Sequence, residues 1–83
     1  MTRQEKKQLY LELLGMVNDK FPQQFADKTK LANPTLTYAT INNVRYGRSP
    51  KLDVLIFLIR LHIPTFMIPQ KFIDAEVHFR TAA

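Results

Sequence analysis

Residues 35–50 read TLTYATINNVRYGRSP, and the fold turns on how they divide. Thr37 suits a helix N-cap, because its hydroxyl can accept an orphan backbone N–H. Ile41 and Val44 lie at helical spacing and give that helix an inward side. Gly47 fits the left-handed position past a helix C-terminus, and Ser49-Pro50 opens the next helix. An earlier start is also open. Asn33-Pro34 carries the same cap-then-proline signal and gives a longer helix, Pro34 to Tyr46. On either division Thr37, Tyr38, Asn42, Asn43, Arg45 and Tyr46 point out. Surface helices are usually filled with glutamate and lysine for propensity. This one has no acid and several poor helix formers. Asparagine can pair bidentately with adenine, and a threonine methyl can touch thymine. Arginine, lysine, tyrosine and threonine also serve phosphates. The plain alternative is a polar face turned to water.

Upstream, Thr2-Arg3-Gln4-Glu5 has the capping-box form, and a first helix runs from it to about Asp19. Leu9, Leu13 and Met16 form one stripe, with Tyr10, Leu14 and Val17 beside it. Phe21-Pro22 ends that helix and starts a second, Gln23 to about Lys30, with Phe25, Ala26 and Thr29 inward.

Downstream, a fourth helix spans Lys51 to about His62. Leu52, Leu55, Ile56 and Ile59 form its core face, while Val54, Phe57, Leu58 and Leu61 cover the opposite side. A helix apolar all round must be buried all round, and in so short a chain a partner subunit is the expected cover. The tail then changes period. Ile73, Ala75, Val77 and Phe79 alternate with Asp74, Glu76, His78 and Arg80, which predicts a half-buried strand. The helical alternative turns Phe72, Ala75, Glu76 and Phe79 inward and sets a glutamate on the inner face. A lone strand cannot pair its own backbone, so its expected mate is the same strand of a second copy. The predicted dimer interface is Val54, Phe57, Leu61, Phe66, Ile73, Val77 and Phe79. The division is a helical domain over residues 1–69 and a dimerisation tail over 70–83.

Charge sharpens the reading. Of 12 lysines and arginines, 5 (Lys28, Lys30, Arg45, Arg48, Lys51) fall between Lys28 and Leu52, where there is no acid. The remaining 7 face 7 acids, so the net +5 belongs to the middle of the chain. A neutral scaffold with one basic stretch is what a polyanion-binding surface looks like.

Other classes fall away. The chain has 83 residues, one domain's worth, and its 46% apolar content is too high for a disordered tail. It has no cysteine, so neither a disulfide nor a cysteine-bound zinc staples it. The longest apolar run, Val54 to Ile59, is far short of a membrane span, and no signal-peptide core follows the polar start. A cytoplasmic protein is expected. Ser49 is the only serine and reads as an N-cap, while His62 and His78 fall on different elements. Asp74, Glu76 and His78 share one face of the predicted strand, but no closing spacing makes them a metal site. No glycine-rich phosphate loop is present, and no nucleophile stands beside a base. No enzyme activity, metal or cofactor is expected.

With these residues in view, the chain resembles the phage repressor and Cro-like helix-turn-helix family, also called the XRE family. The resemblance covers about residues 23–63. Its best part is Thr40 to Leu55, TINNVRYGRSPKLDVL, where an apolar pair, a glycine, a basic residue, a proline and an apolar helix follow in order. The chain departs from the pattern at Lys30, where a glycine usually opens the turn, and Lys30 to Pro34 looks like an insertion. Without an insertion, Phe25, Ala26, Leu36 and Ala39 fill the key sites. The resemblance implies a mainly α fold, a four- to five-helix repressor-like domain with a C-terminal β-strand for dimerisation. It also implies a homodimer that binds a palindromic double-stranded DNA operator and occludes transcription. Base reading is expected from Thr37, Tyr38, Asn42, Asn43 and Tyr46. Phosphate contacts are expected from Gln23, Lys28, Lys30, Arg45, Arg48 and Lys51. The alternative is a protein-binding module, such as an antitoxin or an inhibitor of an enzyme.

Overall fold

Five helices follow one another: α1 (Arg3–Val17), α2 (Phe25–Ala32), α3 (Tyr38–Arg45), α4 (Leu52–His62) and α5 (Gln70–Thr81). This computed structural model describes residues 2–81, with side chains as far as residue 77. None of the described helices is long and apolar enough to cross a membrane.

The capping box closes the start of α1. Glu5 N–H donates to Thr2 Oγ1, and Thr2 N–H donates to Glu5 Oε1, each at 3.2 Å. These bonds to Thr2 hold the Glu5 carboxyl below its ordinary pKa. The face of α1 that sinks into the core is Tyr10, Leu13, Leu14 and Val17. The expected stripe is thus rotated, since Leu9 is only half-buried and Met16 lies at the surface.

Helix α4 is the hub. Leu52, Leu55, Ile56, Leu58 and Ile59 are all fully buried, and α1, α2, α3 and α5 each pack on it. Its second apolar face is covered in part from within the chain, at Val54 and Leu58, while Phe57 is half-buried and Leu61 stays exposed. Phe72 and Ala75 of α5 belong to the same core as Val54 and Leu58.

The described residues contain no strand, so the C-terminal strand and the pairing built on it are corrected to a helix. The physical reason lies in what the tail has to pair with. A strand there has no neighbour in the chain to take its N–H and C=O groups, whereas a helix satisfies them internally. The helical spacing of Phe72, Ala75 and Glu76 then caps the open face of α4. Glu76, whose inward position argued against a helix, is indeed inside and only 6% exposed. Lys71 ties α5 back to α1 through a 2.8 Å ion pair with Glu12.

Candidate nucleic-acid interface

The segment from α2 to α4 is built by local bonds that decide where α3 points. Helix α2 runs to Ala32, so Lys30 is helical and the connection to α3 is only residues 33–37. Asn33 Oδ1 accepts from Thr35 N–H at 3.3 Å and from its hydroxyl at 2.5 Å, the signature of an Asx turn. Lys30 reaches over this turn, and its Nζ donates to the carbonyls of Pro34 (2.9 Å) and Leu36 (2.8 Å). An ammonium thus holds this turn together. Thr37 then caps α3 by accepting Thr40 N–H at 3.1 Å, so the helix starts at Tyr38 and not at Pro34.

The far end of α3 is fastened as firmly. Gly47 has φ +83°, and Arg48 N–H donates to Asn43 O at 2.8 Å, which is the Schellman closure. The carbonyl of Val44 takes the buried Tyr10 hydroxyl of α1. Burial raises the pKa of that hydroxyl, so it stays a donor. Arg45 donates to Asn18 Oδ1 (2.9 Å) and Asn18 O (2.7 Å) at the end of α1. Its guanidinium lies 4.7 Å from the Phe21 ring centroid and 5.1 Å from that of Tyr46, within cation–π range.

Between these ends, Ile41 and Val44 are fully buried and the other side of α3 faces out. Tyr38 and Tyr46 are exposed, and Asn42 and Asn43 are half-buried on the same outer side. Tyr38 is engaged at its tip, its hydroxyl donating to Asp27 Oδ1 at 3.1 Å. That bond, with the carboxylate it leads to, raises the Tyr38 pKa. Thr37 is exposed, but its hydroxyl serves the cap.

The expected phosphate residues separate into two kinds. Gln23 and Lys28 are exposed around the start of α2, and Arg48 and Lys51 are exposed between α3 and α4. Lys30 and Arg45 are instead spent on the turn and on Asn18. A cleft of about 640 Å³ beside the start of α3 adds Arg3 and Lys6 of α1 to Lys51. Sequence reasoning passed over Arg3 and Lys6 because they lie far from α3 along the chain. The capping box that starts α1 beside them is the only local signal.

The residues expected at a dimer interface are spread between core and surface. Val54 is buried within the chain, while Phe57, Phe66 and Ile73 are half-buried. Leu61 is 37% and Val77 56% exposed. The Phe79 side chain lies outside the described residues, as does that of His78. On α5, Asp74 is exposed and Glu76 is buried, so they no longer share a face. No group of three metal-ligating side chains occurs among the described residues.

His62 sits behind α2. Thr29 Oγ1 gives its one proton to Phe25 O at 2.7 Å, so His62 Nε2, also at 2.7 Å, donates to that hydroxyl. The imidazole also meets Phe21 and Phe25 edge-on. Burial and then the Lys28 charge lower its pKa.

No family model, curated protein or solved structure matches this chain.

Proposed function

We propose that this chain is a sequence-specific double-stranded DNA-binding regulator that lays α3 in the major groove. The observation that carries the reading is the outer side of α3. It offers two tyrosines and two asparagines, is fastened at both ends, and lies in a stretch with five cations and no acid. In this reading Asn42 and Asn43 read base edges, while Tyr38 and Tyr46 stack or contact backbone at either end. Lys28, Arg48 and Lys51 grip phosphates on the flanks. The likeness to repressor and Cro-like sequences supports the same assignment, including control of transcription.

Selection of bound sequences from a random duplex pool tests the proposal. Enrichment of one short sequence is the expected result. A pool that stays random, with no retained duplex at low salt, overturns it. Sedimentation of the full chain tests the expected dimer. With α5 covering α4, the exposed large apolar side chains on these two helices, among the described residues, are Leu61 and Val77. A homodimer at micromolar concentration is the expected outcome, and a monomer overturns the palindromic-operator part of the reading.

A protein-binding module is the second reading, and Leu31 (82% exposed) and Met67 (89%) are the features that favour it. Single exposed apolar residues are ordinary on any surface, so the weight stays with α3.

A further inference from the structure

We infer that the first turn of α1, through Arg3 and Lys6, grips the DNA backbone from the cleft beside α3. This assignment rests on the DNA reading above and adds to it a contact surface outside the helix-turn-helix segment.

The cleft, about 640 Å³, is bounded by the start of α1, the turn before α3 and the start of α4. Arg3, Lys6 and Lys51 line it, against a single acid, Asp53. Arg3 and Lys6 are three apart, so one side of α1 carries both into the same space. Their arrival there follows from the fold. Tyr10 and Asn18 bond to Val44 and Arg45 at the end of α3, so the earlier turns of α1 run back beside its start.

The ligand is a phosphodiester chain for two reasons. The lining pairs cations with hydroxyls, Thr37 and Thr40, which is the donor set that phosphate oxygens take. Thr37 donates to Thr40 Oγ1 at 3.0 Å, which leaves the Thr40 proton for another acceptor. Second, Thr40 belongs to both the cleft and α3, so a polymer lying along the outer side of α3 passes the mouth of the cleft. At about 640 Å³ the cleft holds more than one small anion. Its positive character ends where the adjoining hollow of about 240 Å³ begins, since Asp53 and Glu76 line that one against Arg60.

The test uses the full chain, a random-sequence duplex and whichever duplex selection enriches. The double variant Arg3→Gln, Lys6→Gln should keep its base preference and weaken both duplexes by the same factor. Its slope of log affinity against log salt should fall by about two, one for each lost phosphate contact. Asp53→Asn should tighten both duplexes, an effect that a purely structural role for the cleft would not produce. A thermal unfolding midpoint equal to the wild type shows that each variant is folded. A double variant with lowered midpoint is replaced by the single variants Arg3→Gln and Lys6→Gln, each of which should lower the slope by about one. An unchanged slope in the double variant, while Asn42→Ala or Asn43→Ala loses base preference, overturns the cleft and leaves the DNA reading standing. A wild-type chain that binds neither duplex overturns the DNA reading, and the cleft assignment with it.

Discussion

Helices α3 and α4 meet in the core, yet they are built on opposite principles. Helix α4 is apolar on nearly every side and buries six residues, from Leu52 to Ile59. Helix α3 buries only Ile41 and Val44. Helix α4 stands by packing, whereas α3 stands by its ends, through a threonine cap, a glycine stop and side chains reaching in from α1. A helix fixed by packing has no side left to show. One fixed by its ends can give a whole side to a partner.

The comparison is broken most sharply by truncation in the hub. Ile56→Ala should lower unfolding stability by about 2–5 kcal/mol, because the cavity it leaves is enclosed by α4's neighbours. Urea unfolding measures this, and a loss below about 1 kcal/mol would mean that α4 is not the hub. On the outer side of α3 the reverse should hold. Asn42→Ala or Asn43→Ala should leave stability almost unchanged. Each should cost about 1–3 kcal/mol of binding to a selected duplex and relax preference at one base pair. Equal losses on selected and random duplexes would mean that these amides do not read bases.

The ends of α3 give the next prediction. Thr37→Ala should cost about 1 kcal/mol of stability, the usual worth of such a cap. A surface threonine without that bond would cost much less. Thr37→Ser should restore most of the loss.

The smallest effect is a pH dependence behind α2. His62 has its pKa lowered in the fold, so the unfolded chain binds more protons there as pH falls. The contribution is full above the ordinary value of 6.5 and is lost as pH drops from there toward the depressed folded value. Urea midpoints on either side of that pH should differ more for the wild type than for His62→Gln. Equal differences would place the histidine in contact with water.

Local punctuation was legible where it forms a bond, but not at α4, where Ser49 makes no cap and the helix starts at Leu52 with Lys51 at the cap position. Thr2 and Glu5, Thr37 and Gly47 all act on their own neighbours, and the bonds they promise are the bonds that form. Residues 72–79 were only half legible. They carry both a strand alternation and a helical set, Phe72, Ala75 and Glu76, and the unfilled side of α4 decides for the helix. The same holds for Lys30. Its departure from a glycine reads as a disruption until its reach to the Pro34 and Leu36 carbonyls is seen. Among the candidate site residues, the outward set on α3 followed from spacing. The commitment of Arg45 to Asn18, and the approach of Arg3 to Lys51, depend on how α1 lies against α3.

The double fastening of α3 also bears on time. Its backbone has no folding step left to make when a partner arrives, so ordering is confined to the tips of its side chains. Such encounters are governed by diffusion and by long-range charge attraction, not by rearrangement. On the proposed DNA reading, the rate of capture should respond steeply to ionic strength, while Asn42 and Asn43 should set the lifetime of the complex.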